Sequence, residues 1–190
     1  MNAQPADAFD AALRVADALD RAGVPYALGG ALAYGQYGIP RATNDVDVNV
    51  FVTPPELGPT VTALQTLGIA LDIVTAQQAA EREGLFVTRF GDFRLDVFTP
   101  SIDFSWEALR TRVRHHLEGR DVWFLSAEAL AVFKLLFFRG KDVVDLERLV
   151  AVSGDSLDAG YVRTQLVRMM GPDDPRVATW DRLWQEHRPR

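Results

Sequence analysis

A chain of 190 residues, 48% hydrophobic and 24% charged, is long enough to bury a real core as one domain, or as a domain with a small helical extension. It has no cysteine, which excludes disulfides and thiolate metal sites, and no apolar run near the roughly 20 residues a bilayer requires; the N-terminus lacks the features of a secretion signal, so a cytoplasmic location and no membrane partner are expected. A formal net charge of −6 argues against general nucleic-acid binding, which needs a basic surface, although a local patch can override an average.

Residues 7–22 place Phe9, Leu13, Val15, Ala16 and Leu19 on roughly one face of a helix that Gly23 stops. A short strand over 25–30 follows, then a brief helix over 31–38 ended by Gly38 and Pro40. The stretch 45–52, DVDVNVFV, alternates as a strand: Val46, Val48, Val50 and Val52 on one face, Asp45, Asp47 and Asn49 on the other. Such an apolar face needs a cover of helices. Next come a predicted helix over 54–68 with proline at its start, a strand over 70–74, and a helix over 75–83 begun by Thr75. Strands over 85–90 and 93–99 flank Gly91-Asp92, a pair that suits a hairpin turn. In the second of them Arg94, Asp96 and Phe98 share one face, Leu95 and Val97 the other.

A short helix near 103–110 leads to two further strands, over 112–119 and 122–126. From Ser126, a plausible N-cap with Glu128 in the first turn, the pattern is helical: 127–140, 142–154, and amphipathic stretches near 158–170 and 175–187. The expected fold is therefore α+β, a mixed sheet flanked by helices and followed by a C-terminal helical bundle. The boundary falls at 125/126, with residues 1–125 as the core and 126–190 packed onto it as one unit. No repeat, low-complexity tract or linker interrupts the chain.

Two aspartates at i and i+2 on a strand are an odd expense, because Asp is a poor strand former and crowded carboxylates repel. They point the same way with Cα atoms about 6–7 Å apart, which lets both reach one cation, or two cations roughly 3.5–4 Å apart. Without cysteine the donors are oxygens, and that points to a hard ion such as Mg²⁺ or Mn²⁺. Asp96 is the later strand aspartate with matching alternation, and it is the expected third ligand and helper of an acceptor hydroxyl. Upstream, Gly29-Gly30 sits between a strand and a helix, where side-chain-free backbone N–H groups can approach a phosphate. Arg41 and Thr43 precede the carboxylates and can hold or orient a triphosphate.

The stretch GGALAYGQYGIPRATNDVDVNVFV resembles the signature of the DNA polymerase β-like nucleotidyltransferase superfamily: Gly-Gly, a short helix, then Arg-x-Thr-x-Asp-x-Asp. More particularly the chain is similar to bacterial AbiEii-type proteins, the toxin components of type IV toxin–antitoxin systems. That likeness runs over about residues 24–150 and takes in the Asp96 strand and FKLLFFRGKDVVDLERL, which resembles a lysine-containing helix followed by a Lys/Arg-Asp-x-x-Asp stretch. The resemblance implies transfer of a nucleoside monophosphate from an NTP to an acceptor hydroxyl on tRNA, a protein or a small molecule, with pyrophosphate released. It also implies a cognate antitoxin as partner. In that reading Asp45, Asp47 and Asp96 bind Mg²⁺, Lys134 steadies the triphosphate, and Asp142 or Asp145 fills a late acidic position. Many members carry Gly-Ser where this chain has Gly29-Gly30, so one serine contact to phosphate is missing here.

Each residue also has a plainer reading. Asp45 and Asp47 can open a surface strand, Asp96 can lie exposed on an edge strand, and Gly29-Gly30 can be a simple turn. Arg41 can neutralise nearby aspartates, Lys134 can snorkel among Phe133, Leu135 and Leu136, and Asp142 with Asp145 can be a solvated helix N-terminus. His115 and His116 face opposite ways on a strand and are read as structural; Arg110, Arg112, Arg114 and Arg120 form either a charged edge that resists aggregation or a contact for a nucleic-acid acceptor. Two other functions compete. A nucleotidyltransferase-like domain can bind a nucleotide or partner without turnover. DVDV also resembles the nucleophile motif of haloacid dehalogenase-like phosphatases, but there the apolar residues precede the aspartates, and here they follow.

Overall fold

The computed structural model describes residues 4–188. In chain order its elements are α1 (Ala8–Arg21), β1 (Tyr26–Leu28), α2 (Gly30–Tyr37), β2 (Asp45–Val50), α3 (Gly58–Thr66), α4 (Ile73–Glu83), β3 (Leu85–Phe90), β4 (Phe93–Phe98), α5 (Phe104–Thr111), β5 (Val113–Leu117), β6 (Arg120–Phe124), α6 (Ala127–Phe137), α7 (Gly140–Ser153), α8 (Ala159–Met170) and α9 (Pro175–His187). The strands form one mixed sheet in the order β3-β4-β2-β1-β6-β5. At its centre β2 runs antiparallel to β1 and parallel to β4. This is the α+β architecture expected from the pattern of elements.

The alternation in β2 sorts its two faces. Val46, Val48 and Val50 are buried, as are Leu95 and Val97 of β4, whereas Asp47, Asn49 and Asp96 are half-buried and Asp45 is exposed. Burying each valine or leucine is worth about 1.5–3 kcal/mol. α1 packs against β1, β2 and β6, with α3 alongside it, and α2 packs on β2 and joins the sheet to α6 and α7. The strand ends at Val50, so Val52 does not extend the apolar row; Phe51 turns inward instead, and its N–H donates to the Pro25 carbonyl.

Capping chemistry corrects the predicted strand over 70–74. Asp72 is an N-cap whose Oδ1 accepts from the Thr75 N–H at 2.8 Å, so Ile73 and Val74 enter α4 rather than a strand, and Asp72, not Thr75, begins the helix. The predicted helix over 54–68 is a 3₁₀ turn at Pro54–Glu56 followed by α3, hinged at the buried Leu57. Gly91 has φ +60 and Phe90 pairs with Phe93, which is the two-residue hairpin expected there. A second tight hairpin, Leu117 to Arg120, carries positive φ at both Glu118 and Gly119.

Candidate active site

Strand register brings the carboxylates together. In the parallel β2–β4 pair, Asp47 is the Cα partner of Asp96 and Asp45 is the partner of Arg94. Partners in adjacent parallel strands project from the same face about 4.8 Å apart, so Asp45, Asp47 and Asp96 share one side of the sheet. All three line a cavity of about 1370 Å³ that also reaches α5, α6 and α8. Asp45 is the first residue of β2, at the strand's N-terminal end, the opposite placement from a nucleophile that follows a hydrophobic strand.

Gly29 and Gly30 are shaped around Asp47. The Gly29 N–H donates to the Asp47 carbonyl at 2.8 Å, and Gly29 caps α2. Gly30 has φ +55, and a Cβ built there would sit 1.7 Å from Asp47 Oδ2. Only glycine lets the carboxylate lie against the first turn of α2. Thr43 holds the entry to β2 from the other end: its hydroxyl donates to the Asp45 carbonyl and accepts from the Asp45 N–H, both at 3.1 Å.

The electrostatics of the trio are unfavourable as they stand. Burial, then the Asp96 charge, then Asp45 push the Asp47 carboxyl up to about 6, against smaller opposing effects of Lys134 and Lys141. Asp96 Oδ1 accepts from Arg94 Nε at 2.7 Å, on the same face of β4. Among the described residues no three histidine, aspartate or glutamate groups are already gathered as a metal cage. The donor set nevertheless suits a hard divalent cation: three carboxylates on one face, two of them half-buried, with Asp47 hard to ionise beside its neighbours.

The late acidic residues lie elsewhere than a solvated helix end. Asp142 and Asp145 are 2% and 3% exposed, and Lys134 between them is 6% exposed. Lys134 Nζ donates to Asp145 Oδ2 at 2.6 Å and lies 3.7 Å from Asp142 Oδ1. Arg41 Nη2 approaches the same Asp145 oxygen at 3.4 Å, and Arg139 Nε donates to Asp142 Oδ2 at 2.6 Å. Burial pushes Asp142 up, but the hydrogen bonds from the Arg139 side chain and backbone, with the Lys134 charge, hold it below the ordinary range. Lys134 is therefore a buried cation committed to two carboxylates, not a snorkelling one. Arg41 sits between this network and the cavity, which Lys134, Asp142 and Arg41 all line.

Arg94, Arg139 and Lys141 also line the cavity and were not among the site residues the sequence suggested. For Lys141 a signal existed: it and Lys134 are the two lysines in a chain with 20 basic residues. The basic run at 110–120 is spent within the chain. Arg112 donates to the Tyr26 carbonyl at 2.9 Å and lies over Trp123, Arg114 pairs with Asp121 at 3.4 Å, and Arg120 pairs with Asp17 at 2.5 Å. Arg110 pairs with Glu107 at the cavity wall. His115 packs edge-on to Tyr37 and Phe124, and His116 contacts Asp121 at 3.0 Å; neither lines the cavity.

Comparison with solved structures gives the fold known counterparts. The chain is similar to the antibiotic-resistance factor ANT(2'')-Ia, solved in solution, with a TM-score of 0.57 and 17% identity over 92% of this chain and 95% of that one. A crystal structure of ANT(2'')-Ia in complex with adenylyl-2''-tobramycin gives a TM-score of 0.57 and 17% identity over 90% and 95%. An antigenic nucleotidyltransferase-like protein from Paracoccidioides brasiliensis gives 0.49 and 17% over 93% and 94%. No protein-family model matches the sequence, and no curated protein matches it. The fold is nucleotidyltransferase-like.

Proposed function

We propose that this chain is a divalent-metal-dependent nucleotidyltransferase that moves a nucleoside monophosphate from an NTP to an acceptor hydroxyl. One observation carries the reading: Asp47 and Asp96 are paired across parallel strands on one face, with the Asp47 carboxylate filling the space that Gly30 leaves empty. Among the described residues no side chain hydrogen-bonds or ion-pairs with the Asp47 carboxylate, and Lys134 and Lys141 offset its charge only in part. A bound cation supplies a partner.

In this reading Asp45, Asp47 and Asp96 would hold Mg²⁺ or Mn²⁺, which when bound neutralises charge on the transferring phosphoryl group and on the leaving pyrophosphate. With the Gly29 N–H already donated to the Asp47 carbonyl, the first turn of α2 from Gly30 onward would donate its N–H groups to the phosphates, assisted by the helix N-terminus. Arg41 and Lys141 line the same cavity and would pair with the triphosphate. Lys134, with Asp142 and Asp145, fixes where Arg41 and Arg139 stand; it acts on the triphosphate through those side chains. Thr43 sets the backbone that presents Asp45. The acceptor hydroxyl oxygen attacks the α-phosphorus, the bond from that phosphorus to the β-bridging oxygen breaks, and pyrophosphate leaves with the electron pair. Asp96, oriented by Arg94, takes the hydroxyl proton.

Two cellular roles fit this chemistry. The AbiEii-type likeness supports a toxin restrained by an antitoxin, and growth arrest on induction that Asp47→Ala abolishes is its test. The fold shared with ANT(2'')-Ia, whose crystal structure is a complex with adenylyl-2''-tobramycin, supports a small-molecule acceptor. The walled cavity beyond the carboxylates favours the second. The enzymatic reading is tested with each α-labelled NTP, Mg²⁺ and a pool of tRNA, cell protein and hydroxylated small molecules. Label transfer is expected from the wild type and absent in Asp45→Ala and Asp47→Ala; transfer retained in those variants refutes the assignment.

A further inference from the structure

The cavity has two ends, and the topology separates them. β1 and β4 flank β2 on opposite sides, so the glycine turn after β1 lies on one side of Asp47 and Asp96 lies on the other. Beyond Asp96 the wall changes character. Phe98, two residues on and on the same face of β4, meets the Phe137 ring at 6.1 Å. Ile102, Trp106, Phe133 and Met169, from the α5 segment, α6 and α8, continue the lining. Phe137 is 51% exposed and Ile102 39%, an apolar surface that opens into the cavity without being buried by the fold.

The charges in this wing cancel. Glu107 is paired with Arg110 at 2.5 Å, and Arg139, whose guanidinium lies 4.9 Å over the Phe137 ring, is paired with Asp142 at 2.6 Å, which leaves Asp103 and Arg168, one of each sign. A polycationic amino sugar needs several uncompensated carboxylates around it, and a nucleic-acid acceptor needs a surplus of cations. Neither is present on this wall. Six apolar or aromatic side chains with balanced charge suit a ligand whose body is desolvated rather than ion-paired. Met169 adds a side chain that adapts to irregular shapes.

We infer that the acceptor is a small, uncharged hydroxyl compound with an aromatic or aliphatic body, seated on Phe98, Trp106, Phe133 and Phe137 with its hydroxyl at Asp96. The inference rests on the nucleotidyltransferase reading for its chemistry, but not for its binding. The reaction is the one described above: an ester forms between the acceptor oxygen and the α-phosphorus, pyrophosphate departs, and Asp96 receives the proton.

Saturation-transfer NMR with 2-phenylethanol and 2-naphthol on the full chain tests occupancy of the wing. Transfer from the protein is expected for both probes, reduced at least fivefold in Phe137→Ser and restored in Phe137→Leu; because Phe137 is half exposed, neither change threatens folding. Labelling assays with NTP and Mg²⁺ are run in parallel on these alcohols, an aminoglycoside and bulk tRNA. The expected result is labelled alcohol, with the alcohol KM raised about tenfold in Phe137→Ser and the NTP KM unchanged. Asp47-dependent labelling of the aminoglycoside or tRNA in preference to the alcohols overturns the inference and leaves the enzyme standing. So does a Phe137→Ser effect on the NTP KM, which would make the wing the nucleobase site. If no acceptor is labelled, the nucleotidyltransferase reading fails, and the NMR result alone decides whether the wing binds apolar hydroxyl compounds.

Discussion

At the scale of single residues, Asp47 shows stability given up for a site. Its carboxyl is pushed to about 6 by burial, Asp96 and Asp45, against about 3.9 in an unfolded chain. A carboxyl with a raised folded-state value contributes fully below the unfolded value and loses that contribution as pH rises through the folded one. The penalty is thus absent below pH 4 and complete above about pH 6. Asp47→Asn is expected to stabilise the metal-free protein at pH 7.5 by about 1–3 kcal/mol, at roughly 1.4 kcal/mol per unit, and to change little at pH 4. Urea midpoints at the two pH values check this; an equal shift at both disproves the electrostatic cause. Mg²⁺ should raise the wild-type midpoint at pH 7.5 and leave the variant's unmoved. Gly30→Ala is the converse case. Positive φ and a Cβ 1.7 Å from Asp47 Oδ2 predict a loss of about 1–3 kcal/mol and at least a hundredfold drop in label transfer, read by denaturation and initial rates. The pair Asp45 and Asp47 and the glycine turn were legible because alternation and glycine placement are local signals. The pairing of Asp96 with Asp47 was expected only by matching alternation, since register between strands far apart in sequence is set by packing.

At the scale of elements, α6 and α7 show what sequence period cannot give. The helices were plain in the pattern, but helical period says nothing about which polar residues face each other across two helices. Lys134 and Asp145, eleven residues apart, meet at 2.6 Å with less than a tenth of either exposed. Breaking such a pair from one side leaves a charge without its partner and costs about 3–5 kcal/mol, while replacing both with apolar or neutral groups of similar size costs far less. Lys134→Met and Asp145→Asn are each expected to lose about 3 kcal/mol, and the double variant to recover at least half of the summed loss. A double-mutant cycle in urea measures the coupling, and strict additivity would show that the two charges do not depend on each other. The missed start of α4 has the same root in reverse: Ile73 and Val74 favour a strand by propensity, yet the Asp72 side chain supplies a cap that decides for the helix. The aromatic wing escaped detection because Phe98, Trp106 and Phe133 look like ordinary core residues until β4, α5 and α6 surround one cavity.

At the scale of the whole molecule, the question is whether the sheet and the C-terminal helices fold as one body. The hydrophobic core runs without a break from Ala8 in α1 to Leu183 in α9, and α2 packs on β2, α6 and α7 at once. The carboxylates sit on the sheet, while Lys134, Arg139 and Lys141 sit on α6, α7 and the turn between them, so the cavity needs both parts in place. A unit with a shared core unfolds in one step. The four tryptophans make this testable, because Trp106 and Trp123 report on the sheet half and Trp180 and Trp184, stacked at 6.4 Å, on the bundle. With Trp106 and Trp123 changed to Phe, the remaining fluorescence follows α9; with Trp180 and Trp184 changed to Phe, it follows α5 and β6. Each pair of changes will lower stability, so each variant's fluorescence is compared with its own far-UV circular dichroism. Coincident midpoints within each variant are expected. A bundle signal that melts several degrees before the circular dichroism of the same variant would divide the chain near residue 125 into two independently stable parts, and the joint cavity would then form only by docking.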